Sequence, residues 1–126
     1  MKINPKKALE LLAAEDGPFK TVFEHGSLSV EVYQPEKVDL QQLHEQDEVY
    51  VIISGKGEFL NGGERMSFNA GDFFFVPAGV EHWFENFSDD FSTRVIFYGP
   101  KGEKKPSQID GNRLWTCYPF NRRYVH

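Results

Sequence analysis

The chain has 126 residues, 40% of them hydrophobic and 15% aromatic, with a formal net charge of −5. That length makes one domain, with a core of roughly two thirds of the unfolded surface, and with a single cysteine, Cys117, no intrachain disulfide can help hold it. The acidic balance weighs against general affinity for nucleic acid or anionic membranes, and neither a leader pattern nor a membrane-length apolar run is present, so a cytoplasmic protein is expected.

The first element is a helix over residues 4–17. Asn4 is a good N-cap, Pro5 suits the first helical position, and Gly17-Pro18 stops the run. Its short apolar stripe from Leu9 to Ala13 suits packing on the outside of something larger. From Thr21 the texture changes to short strands broken by turns. Leu28, Val30 and Val32 alternate with Ser29 and Glu31, the period of a half-buried strand. Val49 to Ile53 is a run of β-branched and aromatic residues, and further strands are expected at 58–60, 65–68, 72–76, 82–87 and 93–98. Ser54-Gly55-Lys56-Gly57 and Gly62-Gly63 read as hairpin turns, and the Phe73-Phe74-Phe75 run reads as core. Seven or more short strands with Gly, Pro and Asn turns predict an all-β sandwich or barrel.

After Tyr98, turn signals at Gly99-Pro100, Lys101-Gly102 and Lys105-Pro106 lead to a terminus holding Trp115, Tyr118, Phe120 and Tyr124 with Arg113, Arg122 and Arg123. Rings at that density are not expected to stay in water. The terminus is expected either to cover its own barrel or to cover a second copy.

The chemistry lies in two segments, QLHEQDEVYVIISG from Gln42 and GDFFFVPAGVEHWFEN from Gly71. If the chain stays extended from Gln42 to Ile53, then Gln42, His44, Glu48, Tyr50 and Ile52 point to one face while Val49, Val51 and Ile53 point to the other. His82, Phe84 and Asn86 share a face in the second segment. Two imidazoles and a carboxylate would then converge on one cavity. Such donors suit Fe, Mn, Ni, Cu or Zn, and two His with one carboxylate and open positions is the set of many non-haem Fe(II) oxygenases. The expected metal ligands are His44, Glu48 and His82, with Gln42 either a fourth, weak amide ligand or a hydrogen-bond partner of bound water or substrate. Gln42, Tyr50, Ile52 and Phe84 are the expected pocket wall. His25 and His126 are read as ordinary surface or core residues.

These two segments resemble the motifs of the cupin family, G-x5-H-x-H-x3,4-E-x6-G and G-x5-P-x-G-x2-H-x3-N. The second is complete as Gly71, Pro77, Gly79, His82 and Asn86. The first matches at His44, Glu48 and Gly55, but Gln42 stands where the first His belongs and Glu36 where the opening Gly belongs. The resemblance covers about residues 20–100. It implies a double-stranded β-helix, or jelly-roll barrel, within one domain of residues 1–126, with a divalent Fe, Mn, Ni or Zn ion held by His44, Glu48 and His82 inside the mouth. It also implies structural roles for Gly71, Gly79 and Pro77, support of the second motif rather than metal contact for Asn86, and a homodimer as the expected assembly.

Cupin function does not follow from the fold. The leading expectation is a metal-dependent small-molecule enzyme, dioxygenase-like, whose ligand is anionic or enolisable because one ionised Glu leaves a divalent site one net positive charge. The alternatives are a non-catalytic ligand- or metal-binding cupin serving as sensor or carrier, and a metal-free sugar isomerase or epimerase with a base such as His44 beside Tyr50.

Overall fold

The computed structural model describes residues 1–39 and 44–100. Gln42 and the terminus from Lys101 therefore lie outside the described residues. Within them, one helix, α1 (Pro5–Ala13), precedes eight strands: β1 (Phe19–His25), β2 (Leu28–Tyr33), β3 (Asp47–Ser54), β4 (Lys56–Asn61), β5 (Glu64–Asn69), β6 (Phe73–Val76), β7 (His82–Glu85) and β8 (Ser92–Tyr98). No helix among the described residues is long and apolar enough to cross a membrane.

Asn4 caps α1 as expected, its side chain accepting from the Lys7 N–H at 2.9 Å. The helix ends at Ala13, before the expected stop at Gly17-Pro18. Leu12 is its last buried residue, and the Ala14 and Glu15 N–H groups turn back to the Leu11 and Leu12 carbonyls at 3.3 and 2.9 Å. Once the apolar stripe runs out, packing no longer supports continuation.

The strands form two antiparallel sheets, one ordered β1-β2-β8-β3-β6 and the other β5-β4-β7. They face each other but do not close into a barrel: among the described residues β1 pairs only with β2, β6 only with β3, and β5 and β7 only with β4. The sequence pattern missed β1, whose ladder with β2 shifts register between Thr21 and Phe23 and so breaks the period-two alternation. Gly62 and Gly63 form the expected hairpin turn between β4 and β5, with φ of 62° and 92°. The glycines at 55 and 57 do something else. β3 and β4 belong to different sheets, so this segment is a crossover and not a hairpin. A Cβ on Gly55 would lie 2.6 Å from Phe91 Cα, and one on Gly57 2.7 Å from Phe87 Cα, so the chain needs glycine to pass.

The core fills the space between the sheets. Tyr50, Ile52, Val76, Val95 and Phe97 face Phe59, Phe68 and Phe84, with Phe91 closing one side. Phe84 meets Phe59, Phe91 and Phe68 at ring centroid distances of 4.4, 4.7 and 5.4 Å. A second, smaller cluster lies on the outer face, where Ala8 and Leu12 of α1 pack on Val32 with Val22 and Ile53. Both faces of β2 are thus used: Val32 meets the helix while Tyr33 belongs to the inner core. The Phe73-Phe74-Phe75 run departs from the core expectation. Phe74 alone packs inward, whereas Phe73 and Phe75 are 63% and 43% exposed on the outer face of an edge strand.

Candidate metal centre

Three donor side chains arrive from three parts of this frame. Glu48 stands on β3 in the five-stranded sheet, His82 on β7 in the three-stranded sheet, and His44 in the segment leading to β3. One ligand atom from each lies within 4.8 Å of the others. The His44 and His82 rings are 6.1 Å apart.

The chain at His44 is not the expected strand. Residues 45–46 bend and β3 begins only at Asp47, so the parity rule holds from Glu48 onward and not across His44. Hydrogen bonds shape the bend instead. The Gln46 amide donates to the Ser27 and Gly99 carbonyls, both at 2.9 Å, which turns this side chain away from the cavity that strict alternation would assign it. The His44 carbonyl accepts from the Gly79 N–H at 3.0 Å, and Asp47 Oδ1 accepts from the Ala78 N–H at 2.9 Å. The loops of the two motifs are thereby sewn together. In the second, the Val80 N–H bonds the Pro77 carbonyl at 3.2 Å, and Gly79, at φ 80°, sits where such a turn needs positive φ.

His82 is held in one orientation. Its Nδ1 lies 2.8 Å from the Val80 carbonyl, so Nδ1–H donates there and Nε2 is left facing the site. Nε2 is 3.1 Å from Glu48 Oε2, and both side chains are only 1% exposed. The contact is close but not aligned as a hydrogen bond: His82 Nε2 and Glu48 Oε1 are enclosed with no hydrogen-bond partner among the described residues. Buried polar atoms left this way cost about 1–3 kcal/mol each. A cation between them, or a proton on Nε2, removes the cost.

The charge states follow. Burial alone would push His82 below its ordinary range, but the Glu48 carboxylate, with help from the Val80 carbonyl, outweighs it and holds the imidazole above. Burial opposes ionisation of Glu48 too, yet the two imidazoles and the Tyr50 hydroxyl keep its carboxyl below the usual range. His44 is held down by burial, the dominant influence, so it stays neutral and able to donate a lone pair. These are the protonation states that metal binding uses, save for the proton that Glu48 retains on His82.

The expected wall residues lie deeper. Tyr50 is fully buried beside Glu48, its ring 5.9 Å from His82 and perpendicular to Phe84. Phe84 and Ile52 belong to the core. Phe97, not singled out by the sequence, packs against His44 with ring centroids 4.6 Å apart and planes tilted by 53°. Asn86 does not share the face of His82 and Phe84. It follows the end of β7 at φ 54°, is exposed, and donates to Glu58 at 2.8 Å, so the turn rotates it out of the alternation.

Two further acidic residues escaped the sequence reading. Asp39 is buried, and its two oxygens accept from the Tyr33 hydroxyl at 2.5 Å and the Phe84 N–H at 2.8 Å, which anchors the segment just before the first motif. Glu31 shares the inner face of β2 with Tyr33 and pairs across to Val95. Burial, then the Glu48 charge, raise its carboxyl above the ordinary range. The alternation in residues 28–32 contained that signal, but it reads equally as a polar, solvated face.

Residues 29–99 match the cupin domain family. The chain belongs to the cupin family. A protein of Streptomyces coelicolor, itself described as uncharacterized, is 35% identical over 71% of this chain and 87% of its own length. An acireductone dioxygenase of a Synechococcus species is 30% identical over 92% of this chain and 71% of its own. Among solved structures, a cupin 2 conserved barrel protein from Salinispora arenicola superposes with a TM-score of 0.61 at 20% identity, over 79% of this chain and 89% of that one. A cupin-2 domain protein from Shewanella frigidimarina gives 0.55 at 14% identity, over 72% and 91%. At those identities the structures speak for the fold of this cupin alone.

Proposed function

We propose that this cupin is a metal-dependent dioxygenase acting on a small anionic or enolisable compound. The observation that carries the reading is the convergence of His44, Glu48 and His82, with ligand atoms within 4.8 Å, and with His82 Nε2 and Glu48 Oε1 lacking a hydrogen-bond partner among the described residues. The likeness to an acireductone dioxygenase along most of the chain supports the reaction class.

The donor set fits a divalent Fe, Mn, Ni or Zn ion, which would be held by His44 Nδ1 or Nε2, a Glu48 carboxylate oxygen and His82 Nε2. Bound there, such an ion supplies Lewis acidity and open positions for a substrate oxygen and dioxygen. The protein's own part is orientation and charge. Val80 fixes which His82 nitrogen faces the site, Tyr50 steadies Glu48, and Phe97 braces the His44 ring. One ionised Glu against a divalent ion leaves a net positive charge, which favours an anionic substrate over a neutral one. Gln42, two residues before His44 in the sequence, is the residue we assign to hydrogen-bond that substrate or to add a weak fourth donor.

Oxygen uptake by Fe(II)-loaded protein on a panel of small thiols, phenols and diketones tests the proposal. Metal-dependent uptake, abolished in His82→Ala, is the expected result. Tight metal binding without turnover of any compound would instead establish a sensor or carrier. Turnover of a sugar that survives a chelator would establish the isomerase reading.

A further inference from the structure

The outer face of the five-stranded sheet is only partly covered. Helix α1 occupies the part around Val32, Val22 and Ile53. The rest is open. There Phe75, Val49 and Ile96 are cross-strand partners, Phe73 lies opposite Val51, and Tyr98 follows Ile96 two residues on. Phe73, Phe75 and Tyr98 are 63%, 43% and 39% exposed. Three large rings, two on β6 and one on β8 with β3 between them, form a patch of the kind that marks a covered surface, and β6 is the edge strand of its sheet, where the Asn61 side chain donates to the Phe75 carbonyl at 3.0 Å.

We propose that residues 101–126 of the same chain fold back over this face and seat their aromatic side chains against Phe73, Phe75 and Tyr98. Three observations name this occupant. The segment starts three residues after Tyr98, at the margin of the patch itself. It holds Trp115, Tyr118, Phe120 and Tyr124, the complement of an exposed aromatic surface. Its charge is opposite to that of the body: six Lys and Arg against two Asp and Glu, where residues 1–100 carry eight against 17. A net +4 segment therefore meets a net −9 domain, with Asp47 paired across from Tyr98 and Asp72 beside Phe73 on the rim of the patch. Reach is ample, since 26 extended residues span roughly 85 Å and the sheet is roughly 20 Å across.

A second surface attracts the same charge. A cleft of about 750 Å³ near the end of α1 is lined by Glu15, Asp16, Glu36 and Asp89. Its lining also includes Leu12, Pro18, Tyr33, Pro35 and Val38, so it competes for rings as well as for arginines; the sheet face is the better seat because it leaves the three large rings of Phe73, Phe75 and Tyr98 exposed where the segment begins.

Cys117 is the one cysteine in the full chain, so a nitroxide can be attached in the terminus without any substitution. In ¹⁵N-labelled protein, the amide signals of Val49, Val51, Phe73, Phe75 and Ile96 are expected to lose intensity and to recover when the nitroxide is reduced. Signals of Leu12, Gly17 and Glu36 are expected to keep theirs. In a mixture of spin-labelled unlabelled chain with ¹⁵N chain lacking the nitroxide, no loss is expected. Unchanged signals on the sheet face, losses at the acidic cleft, or losses in the mixed sample would each overturn the proposal, the last by showing exchange with a second copy. Fluorescence checks against displacement by the label. In Trp83→Phe protein, where Trp115 is the sole reporter, adding Phe73→Asp and Phe75→Asp should shift emission to the red and increase acrylamide quenching. No change in either would also contradict the seat.

Discussion

The space between the two sheets has two ends built by the same rule and finished differently. At one end Phe59, Phe68, Phe84 and Phe91 meet ring to ring and leave nothing unsatisfied. At the other, on the next inward positions of β3 and β7, stand Glu48 and His82 with two enclosed atoms lacking hydrogen-bond partners among the described residues. Alternation in a strand decides only that a side chain points inward. Whether that position stabilises the fold or binds something depends on whether packing completes it. The aromatic end is complete as it stands; the polar end is left to be completed, by a cation between the donors or by a proton on His82 Nε2.

The contrast implies that damage to one end and damage to the other have different signatures. Phe84→Ala should have the largest effect on stability, about 3–5 kcal/mol for a buried ring, read as a lower denaturation midpoint with unchanged m-value. Equal stability of variant and parent would show that the core is not centred where the ring contacts place it.

Glu48→Gln should do the converse. It removes the anionic ligand in a near-isosteric change, and affinity for Mn²⁺ or Zn²⁺ should fall by at least about 100-fold, beyond the effect typical of outer-sphere partners, while the circular dichroism spectrum stays native. Calorimetric titration measures it, and retained affinity would place the metal elsewhere.

The dependence on pH follows from the same pair. His82 is held above its ordinary value of 6.5 by Glu48, while burial holds His44 below it. A metal must therefore displace a proton from His82 but not from His44. Affinity should rise about tenfold per pH unit from 6.5 upward and level off above the raised His82 value, with close to one proton released per ion when titrations in two buffers are compared. Zero release would contradict the assignment.

The smallest effect is expected at Glu31. Its folded-state carboxyl titrates above the ordinary 4.5, chiefly through burial, so the unfolded chain ionises it more readily and the charged form weakens the fold at neutral pH. As pH falls below 4.5 both states are protonated and the penalty disappears. Glu31→Gln should thus raise the melting temperature slightly at pH 7 and leave it unchanged at pH 4.

What the sequence made legible, and what it did not, follows the same line. Gly71, Pro77, Gly79 and His82 were readable because a turn and a ligand at fixed spacing are local facts. Glu48 was readable because β3 is regular from Asp47 onward. His44 joins the cluster although the alternation argued for it does not hold there, since side-chain bonds from Gln46 and Asp47 make a bend where alternation predicts a strand. The sheet to which a strand belongs is a long-range property, which is why Gly55 looked like a hairpin and proved a crossover. Outer coverage is equally non-local, so Phe73 and Phe75 read as core although α1 reaches only the far side of their sheet. Glu31 and Asp39 were hidden because a carboxylate on an alternating strand or loop looks solvated until its neighbours are known.

We propose that His44, Glu48 and His82 hold a metal ion. Crystals grown with Fe²⁺ or Mn²⁺ and measured at the absorption edge of that metal test it most directly. The account predicts an anomalous peak about 2.0–2.2 Å from both imidazoles and a Glu48 oxygen, with His82 Nδ1 still bonded to Val80. A featureless site, with His82 Nε2 still lying against Glu48 and the metal absent or bound elsewhere, would contradict it.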